Sequence, residues 1–147
     1  MASTRLGDIP GARFHAPLVV THASAASGGA NARLGQFGPF DHDLRVRGAY
    51  WTPTGADNAG TSTASYRRLS LYNGGASGTV TATASRLASL NLTATRASLG
   101  PVAMTVDTAV TVASGAALYF SQETVGAASA TNTQLEAGQF AIAYEVI

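Results

Sequence analysis

The sequence predicts an all-β fold, a sandwich or a barrel, and three observations carry that reading. Short runs of β-branched and aromatic residues recur along the chain, about six to eight of them, with turn signals roughly every 8–12 residues. The run Tyr66–Asn73 leads into Asn73-Gly74-Gly75-Ala76-Ser77-Gly78 and then a Thr/Val/Ala run ending at Ser85. Asn-Gly is the strongest short hairpin signal, because both residues tolerate positive φ at little steric cost. Coiled-coil heptads and repeats of solenoid or propeller period are absent from the sequence.

Composition sets the outer limits. The 147 residues suffice for one domain burying roughly two-thirds of its unfolded surface. Net charge is +1 and charged residues are only 12% of the chain, about half the usual ~25%. That balance argues against nucleic acid or an anionic membrane face as partner. It suits a surface committed to neighbours, or one wetted by hydroxyls. All 9 basic residues are Arg, and Cys is 0. The lack of Lys excludes a P-loop, a Schiff-base lysine and a Ser-x-x-Lys acylating site. The lack of Cys excludes thiol nucleophiles, disulfides and Cys-ligated zinc. The opening MASTRLGDIPGARF has no apolar signal-peptide core, and no apolar run reaches transmembrane length. The expectation is a soluble protein with no cofactor.

Taken in order, residues 1–40 read as an N-terminal arm and loop-rich region, and residues 41–147 as the β domain. Within the arm, Arg13–His22 can place Phe14, Ala16, Leu18 and Val20 on one face. Pro17 cannot donate to a ladder, which makes this an edge strand or an extended arm. Ala23–Phe40 is rich in Gly, Ala and Ser and reads as a long loop. Asp43–Trp51 is the clearest amphipathic strand, with Leu44, Val46 and Tyr50 alternating with Arg45 and Arg47. After the Tyr66–Ser85 hairpin, Arg86–Arg96 continues as a strand with Leu90 and Leu92 facing one way, a short helical turn at its start being the competing reading. Val102–Val112 is Thr/Val-rich, Ala117–Gln122 is a strand, and Gln139–Ile147 puts Phe140, Ile142, Tyr144 and Val146 on one face. A strand at the very end of a chain is usually paired in its sheet.

Catalytic constellations are sparse. Asp41-His42-Asp43 is the one dense acid/imidazole cluster, and His15 and His22 are the other histidines. On a strand Asp41 and Asp43 face away from His42, so the three do not converge on one ion. Gly75-Ala76-Ser77-Gly78 departs from G-x-S-x-G and lies in a loop rather than before a helix. No spacing singles out a carboxylate pair among Asp57, Asp107, Glu123 and Glu136. Tyr50-Trp51 and Tyr72 offer an aromatic platform for a sugar, although a lone Trp at a strand end is more often core or interface. Arg45, Arg47, Arg67 and Arg68 form a basic stripe if their strands are neighbours, with carboxylates of an adjacent subunit as partners. Asn91-Leu92-Thr93 matches a glycosylation sequon, a chance match without a signal peptide. The chain is expected not to be an enzyme.

From Val46 onward the order of features resembles a family of small β proteins from the virion gene blocks of tailed bacteriophages, the head decoration or stabilising proteins of phages of actinobacterial hosts. The residues that carry the resemblance are Ala49-Tyr50-Trp51-Thr52-Pro53-Thr54, Arg68-Leu69-Ser70-Leu71-Tyr72-Asn73-Gly74-Gly75, Gly78-Thr79, Ala82-Thr83-Ala84-Ser85, Val112-Ala113-Ser114-Gly115-Ala116-Ala117-Leu118, Ser121, Val125-Gly126 and the strand from Gly138 to Val146. The sequence departs from the family pattern at Ala116, where an acidic residue is usual, and at Leu135-Glu136-Ala137-Gly138, where a Pro/Gly turn is usual.

The resemblance implies a jelly-roll-like antiparallel β-sandwich with an extended N-terminal arm. It implies a homotrimer on the outer surface of a capsid, assembled in the host cytoplasm and touching the major capsid protein and copies of itself. The expected contact residues are Phe14, Leu18, Phe37, Phe40, Arg45, Arg47, Trp51, Arg67, Arg68, Asn73 and Gly74. The alternative is a fibre or tail module that binds a host receptor or glycan.

Overall fold

A computed structural model describes residues 13–14, 20–22, 32–55, 66–75, 86–93, 100–126 and 137–147. Its strands are β1 (Arg13–Phe14), β2 (Val20–His22), β3 (Ala32–Phe37), β4 (Leu44–Pro53), β5 (Tyr66–Asn73), β6 (Arg86–Leu92), β7 (Val102–Ala103), β8 (Thr105–Val106), β9 (Thr111–Val112), β10 (Leu118–Val125) and β11 (Gly138–Val146). All the pairings are antiparallel. The first sheet runs β1-β11-β4-β7, with β2 also on β11 and β9 also on β4; the second runs β3-β10-β5-β6-β8. The two sheets pack face to face as an all-β sandwich.

The core lies between them. Leu44, Val46, Trp51, Phe140 and Ile142 enter from the first sheet, and Leu69, Leu71, Leu92, Leu118 and Phe120 from the second. Phe120 stacks on Phe140 across the layers at 3.9 Å between ring centroids, and Phe37 meets Phe120 edge-on at 5.4 Å. Each such ring contributes about 1.5–3 kcal/mol on leaving water. The chain changes sheets at Met104: Val102 and Ala103 pair with β4, Thr105 and Val106 pair with β6, and the buried Met104 sits between. Such a corner ties the layers together through the backbone.

Among the described residues three bulges adjust the inward alternation. In the β4–β11 ladder Ala143 faces Gly48 and Tyr144 faces Val46, which leaves Arg47 as the extra residue. Because side chains alternate with period two, one extra residue reverses every side chain beyond it. Leu44 and Val46 point inward before the bulge; Ala49, Trp51 and Pro53 do so after it. The sequence expectation that Tyr50 shares a face with Leu44 and Val46 is therefore corrected: Tyr50 faces out. Leu87 is the extra residue between Leu71↔Ala88 and Tyr72↔Arg86, and Leu34 between Phe120↔Gly35 and Ser121↔Arg33.

Other expectations fare differently. Arg86–Leu92 is a strand rather than a helical turn, with Leu92 buried and Leu90 packed on the core beside it. The inward face of the last strand is as read, since its bulge lies on the partner. The loop assigned to Ala23–Phe40 fails over Ala32–Phe37, where β3 pairs with β10 and Phe37 enters the core. A six-residue strand with one deeply buried side chain and a central glycine carries little periodic signal. Arg13–His22 resolves into two pieces on the same edge of β11, Arg13↔Glu145 and Phe14↔Tyr144, then Val20↔Phe140 through His22↔Gly138.

The Asn73-Gly74 hairpin is also corrected. β5 does lie inside its sheet, between β10 and β6. Tyr72, however, pairs with Arg86, so the hairpin partner of β5 is β6 and not the Thr79–Ser85 run expected to follow the Asn73–Gly78 loop. Asn73 Oδ1 instead accepts a hydrogen bond from Gly75 N–H at 3.0 Å, and the positive φ (58°) falls at Gly75. The Thr79–Ser85 run lies outside the described residues.

Candidate functional site

The expected contact residues separate into three groups. Trp51 is fully buried, and Phe37, Arg67 and Gly74 are buried as well. These four are corrected from exposed to buried, because the bulge at Arg47 turns Trp51 inward and β3, an edge strand of the second sheet, turns Phe37 into the core. Arg67 shares the inward face of β5 with Leu69 and Leu71 and donates from Nη1 to the buried Gln122 Oε1. Phe40, Arg45, Arg47, Arg68 and Asn73 are half-buried. Phe14 lies in β1, where its backbone faces Tyr144, and Leu18 lies outside the described residues.

The expected four-arginine stripe does not form. Arg45 and Arg47 belong to the first sheet, Arg67 and Arg68 to the second, and Arg67 points inward. Each sheet instead makes its own cross-strand charge pair. Arg47 grips Glu145 with two hydrogen bonds, Nε to Oε2 at 2.8 Å and Nη2 to Oε1 at 3.0 Å. This two-point grip raises the Arg47 pKa, against the lowering effect of burial. Arg68 stands opposite Glu123 and donates to its Oε2 at 2.6 Å. Arg86 reaches the same oxygen from β6, its Nη1 4.0 Å away. Burial first, and the Arg68 charge second, lower the Arg86 pKa.

The outer face of the second sheet thereby gathers Tyr72, Tyr119, Ser70, Arg68, Arg86 and Glu123. Tyr119 lies over Gly74, where a Cβ would stand 2.5 Å from the ring's Cδ2 and nearer still to Cε2. The Arg33 guanidinium carbon sits 3.7 Å from the Tyr119 ring centroid, a cation–π contact. Sequence reasoning singled out Arg68 and Gly74 but missed Glu123, Arg86 and Tyr119 as their neighbours. The period-two spacing of Tyr119, Ser121 and Glu123 was available, yet nothing local states which strand stands opposite.

The Asp41-His42-Asp43 cluster has a structural task. Asp43 Oδ1 accepts from Ser114 N–H at 2.7 Å, Ser114 Oγ donates to the Asp41 carbonyl at 3.0 Å, and Ile147 N–H donates to the Asp43 carbonyl at 3.0 Å. Phe40 exchanges backbone hydrogen bonds with Gly115 and Ala116 alongside. Together they fasten the turn before β10 to the entry of β4. Among the described residues no group of three His, Cys, Asp or Glu could hold a metal ion, and no helix is long and apolar enough to cross a membrane. His15, Asp57, Ser77 and Glu136 lie outside the described residues. Asp107 is exposed, its Oδ1 accepting from Ala109 N–H. Asn91 of the sequon is exposed on β6.

The aromatic platform expected from Tyr50, Trp51 and Tyr72 does not assemble. Tyr50 is 37% exposed on the first sheet, whereas Trp51 and Tyr72 are buried. The chain matches no protein-family model, no curated protein and no solved structure.

Proposed function

We propose that this chain is a structural protein of a bacteriophage particle, a head decoration protein that binds the outside of the capsid as a homotrimer and stabilises it. The observation that carries this reading is how the sandwich uses its few charges. Arg47–Glu145 and Arg68–Glu123 neutralise one another within their own sheets, leaving a low-charge exterior suited to repeated packing against copies of itself and a lattice. The resemblance to decoration proteins from Val46 onward supports the same reading, and with it a jelly-roll-like course. The partners are then the major capsid protein and the chain itself, and the role is mechanical, not catalytic. The alternative, a glycan-binding fibre or tail module, would have to rest on Tyr50, since Trp51 lies in the core and Tyr72, though on the outer face of its sheet, is buried.

Purified chain should elute as a trimer by light scattering and add to capsids that lack it, raising their resistance to heat. A monomer with no affinity for such capsids overturns the proposal.

A further inference from the structure

The dipeptide Asn73-Gly74 carries a chemistry that its place in the fold holds back. An asparagine followed by glycine readily loses its side-chain amide, because glycine has no Cβ to keep its backbone nitrogen off the asparagine side chain. Asn73 is followed by glycine, whereas Asn31 and Asn58 precede alanine, Asn91 precedes leucine and Asn132 precedes threonine. In the reaction the Gly74 nitrogen gives its proton to hydroxide and attacks Asn73 Cγ. The N–Cγ bond forms, the Cγ–Nδ2 bond breaks, and Nδ2 leaves as ammonia with a proton taken from water. Water then opens the cyclic imide at either carbonyl, giving aspartate or isoaspartate.

The fold sets one contact for this reaction and others against it. Gly75 N–H donates to Asn73 Oδ1 at 3.0 Å, the oxygen on which negative charge builds as the nitrogen attacks. Gly74 N–H, however, donates to the Ala117 carbonyl at 2.9 Å, which keeps the proton on the nucleophile and fixes its peptide plane. Ala117 N–H donates in return to the Gly75 carbonyl at 3.3 Å, and Asn73 stands opposite Leu118 in the β5–β10 ladder. Gly74 is buried, with the Tyr119 ring over it. The favourable contact belongs to the turn itself. The opposing ones come from the segment that enters β10.

We propose that Asn73 is a self-modification site, closed while the end of β5 is seated against Ala117 and Leu118 and reactive when that end opens. Isoaspartate routes the main chain through the former side chain and lengthens it by a methylene. Asn73 and Gly74 then cannot both return to Leu118 and Ala117, so conversion records the opening permanently. The inference rests on this end of the second sheet alone and holds whether or not the chain decorates a capsid.

The test incubates purified chain in buffer and in urea and follows each asparagine by peptide mass spectrometry, with isoaspartate labelled by its methyltransferase. In urea Asn73 should convert faster than Asn31, Asn58, Asn91 and Asn132. In the folded chain it should convert at least about tenfold more slowly than in urea. Hydrogen exchange at the Gly74 amide, read by NMR, should rise together with conversion in Tyr119→Ala, which uncovers Gly74. If Tyr119→Ala does not fold, Arg33→Gln, which frees one contact of that ring, makes the same comparison. Three results overturn the proposal: equal conversion in the folded and unfolded chain, an Asn73 no faster in urea than the other asparagines, or faster Gly74 exchange without faster conversion.

Discussion

Each sheet carries a tyrosine over a glycine on its outer face, and the two pairs behave differently. On the first, Tyr50 folds back over Gly48 of the same strand. A Cβ at Gly48 would meet the far end of that ring, Cε2 and Oη at 3.1 Å. Tyr50 is 37% exposed and can swing outward. On the second, Tyr119 covers Gly74 from a different segment, is 4% exposed and lies under the Arg33 guanidinium. A ring with room to move turns a close contact into a small adjustment, whereas a ring held on its other contacts turns it into strain. The lesson is that a glycine's necessity depends on the freedom of what lies over it. Neither Gly48 nor Gly74 is among the glycines with positive φ.

The largest expected effect tests that contrast directly. Gly74→Ala should cost about 2–3 kcal/mol in urea denaturation, because the new methyl displaces a packed ring. Combining it with Tyr119→Ala should cost less than the sum of the two single changes, since removing the ring removes the clash that the new methyl makes. Additive losses would break the account. Arg33→Gln, which frees one contact of the Tyr119 ring, should cost about 0.5–1 kcal/mol. Gly48→Ala should stay within about 0.5 kcal/mol, with Tyr50 more exposed to solvent quenching of its fluorescence. A loss as large as that of Gly74→Ala would erase the distinction between the faces.

A third tyrosine sharpens the comparison through charge instead of shape. Tyr144 packs against Phe40 with ring centroids 5.9 Å apart, and burial first, then the Asp41 charge, raise its pKa above 10.0. The folded chain thus holds the phenol proton more tightly than the unfolded chain. Its contribution is fully present below the unfolded pKa and is lost as pH rises through the folded value. Thermal scans from pH 8 to about 11 should show stability falling on the alkaline side, and Tyr144→Phe should flatten that limb. An unchanged limb would place the alkaline sensitivity elsewhere.

Much of the fold was legible wherever the signal is local. Phe140, Ile142 and Val146 alternate without interruption, and Leu90 and Leu92 lie two apart on a short strand, so their inward faces could be read directly. The Asp43–Trp51 strand is evident in the sequence, but its orientation beyond Arg47 is not. A bulge there depends on the partner strand, and one residue of slip exchanges Tyr50 for Trp51 as the buried aromatic. The site was less legible. Arg68 and Gly74 were singled out for composition and turn chemistry, whereas what they face, Glu123 and Tyr119, comes from β10, about fifty residues later in the chain.

The all-β class, the positions of most strands and the scarcity of charge can be read from the chain alone, because propensity, turn chemistry and composition are properties of short segments. Sheet order, the inward turn of Trp51 and Arg67, and the gathering of two arginines on one glutamate emerge only when the strands assemble. Those depend on register between distant strands, which is set by the packing of the whole sandwich and has no local signature.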